Sequence, residues 1–180
     1  GGMGTYSDTN HSLPFLNDND IAKARDINTS TVRALKDKFG AGYKGVLYGG
    51  FIATAKGIKL IEYNARFGDP EAMNVLPLLE SDFVEICNGV ASGTLENVDV
   101  KFQHKATVCK YAVPEGYPDR PTKGSPIDVS SIENPDSLFY ASVDIQNGQL
   151  VEAGSRTVAV VGIADSISEA EIIAEKEISS

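Results

Sequence analysis

The stretch that decides the fold is Leu60-Ile61-Glu62-Tyr63-Asn64-Ala65-Arg66-Phe67-Gly68-Asp69-Pro70-Glu71. Its first half alternates, and residues two apart on a strand share a face, about 6.6 Å from one another. Glu62 and Asn64 therefore point one way, and Ile61 and Tyr63 the other. Arg66 joins the polar face if the strand continues. In the second half Asp69 reads as a helix cap, Pro70 suits the first helical position, and Glu71 favours the positive helix end. A carboxylate beside a carboxamide offers only oxygen ligands, which suits a hard cation such as Mg²⁺ shared with water and phosphate oxygens. An arginine one step on can meet a phosphate through two N–H bonds and offset charge during transfer. The competing reading of Glu-x-Asn is a solvent-facing polar strand edge. Arg66 and the Gly-Asp-Pro-Glu turn favour the site, because a plain edge needs neither.

Upstream, residues 46–54 are apolar, β-branched and aromatic, and read as a buried strand. Lys56-Gly57 turns the chain into residues 58–64, so a hairpin carries Glu62 and Asn64. Before it, Ile21, Ala24, Ile27, Val32 and Leu35 fall at helical spacings behind an Asp20 cap, with Asn28-Thr29-Ser30 as a break. Residues 1–19 read as loop. Downstream, a helix runs to about Leu79, and Ser81 caps another reaching about Ala91.

Ser92-Gly93-Thr94 marks a boundary beyond which the texture turns strand-rich. Strands are expected over 105–113, 138–145, 149–153 and 156–163, with Asn147-Gly148 as a hairpin turn. Residues 114–126 hold four of the eight prolines and read as irregular. Ser168, with Glu171 in the capping-box position, opens a final helix. The fold class is α+β in two parts, 1–92 and 93–180.

With 180 residues, 42 % of them hydrophobic, the chain has enough apolar surface for a core. Sixteen basic against 25 acidic residues give a net charge of −9. Such a field repels nucleic-acid backbones, though a local nest of donors still binds a small phosphorylated ligand. No apolar run approaches the ~20 residues that span a bilayer, so no membrane partner is expected. Cys87 and Cys109 read as buried core in a reducing, cytoplasmic setting. Gly1-Gly2-Met3-Gly4 lets backbone N–H groups approach an anion, with a flexible terminus as the alternative.

Three segments together carry a resemblance: Gly1-Gly2-Met3-Gly4-Thr5-Tyr6-Ser7, Tyr43-Lys44-Gly45-Val46-Leu47-Tyr48, and Glu62-Tyr63-Asn64-Ala65-Arg66-Phe67-Gly68-Asp69-Pro70-Glu71. In order and spacing they resemble the phosphoribosylamine–glycine ligase family, the glycinamide ribonucleotide synthetases of purine biosynthesis, within the ATP-grasp superfamily. Gly116-Tyr117-Pro118, Lys123-Gly124 and Gly154-Ser155-Arg156 resemble the family's carboxy-terminal domain more loosely, with Ser155 where the family often has glycine.

The resemblance implies the later half of an ATP-grasp domain over 1–92 and a small β-rich carboxy-terminal domain over 93–180. It implies ATP-dependent ligation of glycine to 5-phosphoribosylamine through a glycyl phosphate. Position by position, Glu62 and Asn64 match ligands of Mg²⁺ or Mn²⁺ beside ATP. Arg66 matches the catalytic residue near the transferred phosphoryl group. Asp69, Glu71 and the Gly1, Gly2, Met3, Gly4 loop match the side facing phosphoribosylamine. The preceding strand, Leu47-Tyr48-Gly49-Gly50-Phe51, lacks the further acidic ligand of many ATP-grasp enzymes. The family's amino-terminal half is expected to be missing, so the fragment should be inactive alone. The rivals are another ATP-grasp carboxylate–amine ligase and a non-catalytic assembly domain.

His11 and His104 read as a loop and a strand-edge residue, and Arg156 as a surface salt bridge or a ligand contact. The acidic run Glu169, Glu171, Glu175, Glu177 reads as a solvated helix face.

Overall fold

The computed structural model describes residues 2–180. They form two compact units, each assembled from separated stretches. One takes the described residues up to Ser12, with Asp69–Leu78 and His104–Ser180; the other takes Leu13–Gly68 and Leu79–Gln103. The compact units thus interleave along the chain and do not follow a linear split at residue 92. The reason is strand pairing: β1 (Gly4–Ser7) pairs with β4 (Ala106–Ala112), which draws the amino-terminal segment to the later residues.

In the first unit the sheet order is β1-β4-β8-β5, all antiparallel, with β5 at Leu138–Tyr140 and β8 at Val158–Ala164. β4 and β8 are buried on both faces, which is why both read as continuous apolar runs. Val108 and Val160 pack with Ala170 and Ala174 of α4 (Ile167–Ile178) on one face. Cys109, Ala159 and Val161 face the other way, toward Met73 of α2 (Glu71–Val75). Asn74, buried on α2, ties that helix to the sheet by donating to the Thr107 carbonyl at 3.1 Å and to Thr107 Oγ1 at 2.8 Å. A separate hairpin pairs β6 (Val143–Gln146) with β7 (Gln149–Glu152), turning at Asn147 and Gly148. Both turn residues have positive φ, the geometry that favours Asn-Gly in a two-residue hairpin loop. The expected 138–145 strand is split, because β5 pairs with β8 while β6 pairs with β7.

The second unit holds α1 (Asp18–Phe39), the hairpin β2 (Tyr48–Thr54) and β3 (Gly57–Asn64), and α3 (Phe83–Ser92). α1 runs unbroken through Asn28-Thr29-Ser30, against the expected break. Their propensity penalties are each only a few tenths of a kcal/mol, and tertiary partners offset them. The Tyr63 hydroxyl donates to Asn28 Oδ1 and also meets Thr31 Oγ1, both at 3.0 Å.

Four expected caps shift by one to three residues. Asn17 caps α1 with Asp20 as its capping-box partner, Asp82 and not Ser81 caps α3, and Ser166 and not Ser168 caps α4. Ser81 instead donates to the Asp99 carbonyl and accepts from the Lys101 N–H. Pro70 occupies the N-cap of α2 without a side-chain bond, so Asp69 caps nothing. Cys87 is exposed, not core, because it sits on the outer side of α3. The acidic run is partnered: Lys110 donates to both Glu171 and Glu175, and Glu177, buried, accepts from the Glu133 N–H. No helix among the described residues is long and apolar enough to cross a membrane.

Candidate functional site

The expected site residues fall in both units. In the second unit, β3 delivers Glu62 and Asn64 to one face, as the strand period requires. Asn64 Nδ2 donates to Glu62 Oε1 at 3.4 Å. Opposite them on β2 stand Gly50, paired with Glu62, and Tyr48, paired with Asn64, and the register shifts between Gly50 and Phe51. With glycine across from Glu62, no side chain projects there to cover the carboxylate; a Cβ at Gly50 would lie 3.6 Å from Glu62 Cγ. Glu62 is exposed and Asn64 half-buried, while Tyr63 turns to α1.

β3 ends at Asn64, so Arg66 is not on the strand and the two-residue period does not place it. Its Nη1 instead donates to the Phe67 carbonyl at 2.7 Å, and its side chain is exposed. Phe67 itself meets Phe83, with ring centroids 6.2 Å apart.

Two neighbouring oxygen-bearing side chains fit a hard cation that completes its shell with water and phosphate oxygens. Among the described residues no group of three or more His, Cys, Asp or Glu side chains forms a self-sufficient metal cage. The pair suits a shared site and not a structural one.

In the first unit, Asp69 is held from two sides. Arg156 Nη2 donates to Asp69 Oδ2 and the Tyr111 hydroxyl donates to Asp69 Oδ1, both at 2.9 Å. The Arg156 guanidinium lies over the Tyr111 ring, 4.6 Å from its centroid. Burial, then the bond to Asp69, pushes the Tyr111 hydroxyl well above its ordinary range, so it stays a donor. Arg156 Nη1 reaches the Gly2 carbonyl at 2.8 Å and the Asp69 carbonyl at 3.3 Å. Met3 is tied in through its carbonyl, which accepts from the Tyr111 N–H at 2.9 Å. Gly4 pairs with Lys110, and a Cβ on Gly4 would lie 2.7 Å from the Cys109 carbonyl oxygen, so only glycine lets β1 approach β4 this closely. Glu71 opens α2 and is half-buried. Gly1 lies outside the described residues.

Arg156 was expected as a surface ion pair or a ligand contact. It is an ion pair, but with only 14 % of its side chain exposed it is not a surface one. Tyr111 carries no site signal in the sequence. The alternation of Cys109 and Tyr111 on β4 places it on the Asp69 side of the sheet, but nothing local in sequence links positions 69, 111 and 156. His11 and His104 stack with centroids 5.2 Å apart.

Known proteins match along nearly the whole chain. Residues 1–72 match the phosphoribosylglycinamide synthetase ATP-grasp (A) domain family, and residues 107–180 match the C domain of the same synthetase. A phosphoribosylamine–glycine ligase of Methanocaldococcus jannaschii is 55 % identical over 179 residues, covering 98 % of this chain and 40 % of the relative. One from Methanosarcina barkeri is 53 % identical over 175 residues, covering 97 % and 40 %. The crystal structure of a phosphoribosylamine–glycine ligase from Thermotoga maritima superposes with a TM-score of 0.80 at 27 % identity, covering 99 % of this chain and 43 % of that one. The chain spans about two fifths of the length of the curated relatives it matches.

Proposed function

Because this chain belongs to the phosphoribosylglycinamide synthetase family, we propose that it is part of an ATP-dependent ligase joining glycine to 5-phosphoribosylamine. The observation that carries this reading is the Glu62–Asn64 pair at the end of β3, a carboxylate and a carboxamide on one face with glycine opposite Glu62. We assign residues 1–92 to the later part of the ATP-grasp domain and 93–180 to the carboxy-terminal domain. The two family matches fall on either side of that division.

Glu62 and Asn64 would hold Mg²⁺ or Mn²⁺, which when bound neutralises charge on the ATP phosphates. Arg66, exposed just beyond the strand, meets the γ-phosphoryl charge as a glycine carboxylate oxygen attacks phosphorus and the bond to ADP breaks. The amine of phosphoribosylamine then attacks the acyl carbon. The carbon–oxygen bond to phosphate breaks, phosphate leaves, and the nitrogen gives up a proton. The segment Gly2 to Gly4 and Glu71 would face the phosphoribosylamine and orient its amine for that attack, with Asp69 held beside them by Arg156 and Tyr111. In this reading the setting is cytoplasmic, the partners are the small substrates ATP, glycine and 5-phosphoribosylamine, and no nucleic acid is involved.

The test is a chimera in which this chain replaces the matched segment of the Methanocaldococcus jannaschii ligase. ADP release should require both glycine and phosphoribosylamine generated in situ from ribose 5-phosphate and ammonia. The 180-residue chain alone should release none above background. Turnover only with a different acid or amine would favour another ATP-grasp ligase. A folded chimera that binds but never turns over would favour an assembly role.

A further inference from the structure

Arg156 stands at the head of β8, yet it grips two other segments at once. Nη2 holds the Asp69 carboxylate and Nη1 holds the Gly2 carbonyl. The side chain is largely buried and lies on the Tyr111 ring, whose hydroxyl takes the second Asp69 oxygen. Both carboxylate oxygens of Asp69 therefore already accept a bond from the protein, and its charge is matched by a guanidinium. A carboxylate so engaged is a poor direct acceptor for a substrate amine and a good anchor. What the anchor holds is backbone: Arg156 takes the Gly2 carbonyl, just ahead of the point where Met3 and Gly4 join β4 through the Tyr111 N–H and the pairing with Lys110.

Resting on the ligase reading above, we propose that Arg156 is a positioning residue. By bridging Asp69 to the Gly2 carbonyl, it fixes the Gly2 end of the segment that faces the phosphorylated amine. Asp69 acts through Arg156 and not by touching substrate. Only a planar fork does this, because a lysine ammonium is a single point that loses either the carboxylate or the carbonyl geometry. The effect belongs to one substrate, since the clamped segment is assigned to phosphoribosylamine and the ATP side rests on Glu62 and Asn64.

The experiment uses the same chimera with Arg156→Met, Arg156→Lys and Tyr111→Phe. Arg156→Met should raise KM for phosphoribosylamine about tenfold or more, the worth of one charge-assisted bond, while KM for ATP stays within about twofold. Arg156→Lys should recover only a minor part of the loss. Tyr111→Phe keeps the ring under the guanidinium and should raise the same KM by about threefold, as loss of one neutral-donor bond predicts. Amide hydrogen exchange over residues 2–7, which needs no turnover, should quicken in Arg156→Met. Parallel rises in both KM values, full rescue by lysine, or unchanged exchange would overturn the proposal. If Arg156→Met does not fold, Tyr111→Phe and Arg156→Lys decide by the same criteria. A parent chimera that folds but does not turn over defeats the ligase reading instead, and exchange still tests the clamp.

Discussion

Asn64 and Glu62 are joined across one strand period, the amide nitrogen 3.4 Å from the carboxylate oxygen on the same face of β3. That contact orients the amide: with Nδ2 turned to Glu62, Oδ1 remains as the side chain's ligand atom. The carboxylate and the amide thus share one strand face, with glycine across the hairpin from Glu62. An arrangement with Glu62 and Asn64 on opposite surfaces would have left nothing for a cation to bridge.

The two cysteines should separate cleanly by reactivity. Burial pushes the Cys109 thiol up to about 12, and it is nearly inaccessible, whereas Cys87 is exposed. Thiolate is the reactive form. Alkylation at pH 8 under native conditions should modify Cys87 and stop at one equivalent, and denaturant should release the second. Rapid native modification of both would contradict the packing of β4.

Gly162 should be intolerant of any side chain. A Cβ there would lie 1.9 Å from the Ala170 carbonyl oxygen, so β8 and α4 touch backbone to backbone. Gly162→Ala must push the helix off the sheet, at a cost of about 1–3 kcal/mol or more. Urea unfolding should show a lowered midpoint, and an unchanged midpoint would mean that α4 does not sit against this strand.

Lys110 should give the fold an acid-sensitive element. Its hydrogen bond, then that of Ser179, holds the Glu175 carboxyl below its ordinary value of 4.5. A depressed folded value means stability that is present above pH about 4.5 and lost as pH falls through the lower, folded value. In reverse, the bonds to Glu171 and Glu175 raise Lys110 above 10.5, so that contribution fades only as pH climbs through the raised value. Lys110→Met should lower the melting temperature at neutral pH and flatten its fall between pH 5 and pH 3. An equally steep fall in the variant would sink the pairing.

Much of this was legible in the residues, and the rest fails for physical reasons. Period-two alternation placed Glu62 with Asn64 and Tyr63 opposite them, because a strand leaves no other choice. The Asn-Gly turn at 147–148 and the central strands β4 and β8 followed from local chemistry in the same way. The expected cap at Asp69 failed because its carboxylate had a charged partner 87 positions away, and a buried guanidinium outcompetes a backbone amide. The break expected at Asn28 failed similarly, since Tyr63, 35 residues on, satisfies it inside a helix. The assignment of Cys87 to the core followed its apolar neighbours, but α3 presents that side of itself outward. The pairing of β1 with β4 joins positions about a hundred apart, and no local pattern announces it.

The most direct test of the account is the divalent-cation requirement of Glu62 and Asn64. In the chimera, Glu62→Gln and Asn64→Ala should each raise the Mn²⁺ concentration for half-maximal ADP release by about tenfold or more, the scale of one charged or polar ligand lost. Melting temperature should be unchanged, because both side chains lie outside the core. Cation dependence identical to the parent in both variants, with activity intact, would contradict the assignment of these two residues and the ligase reading built on them.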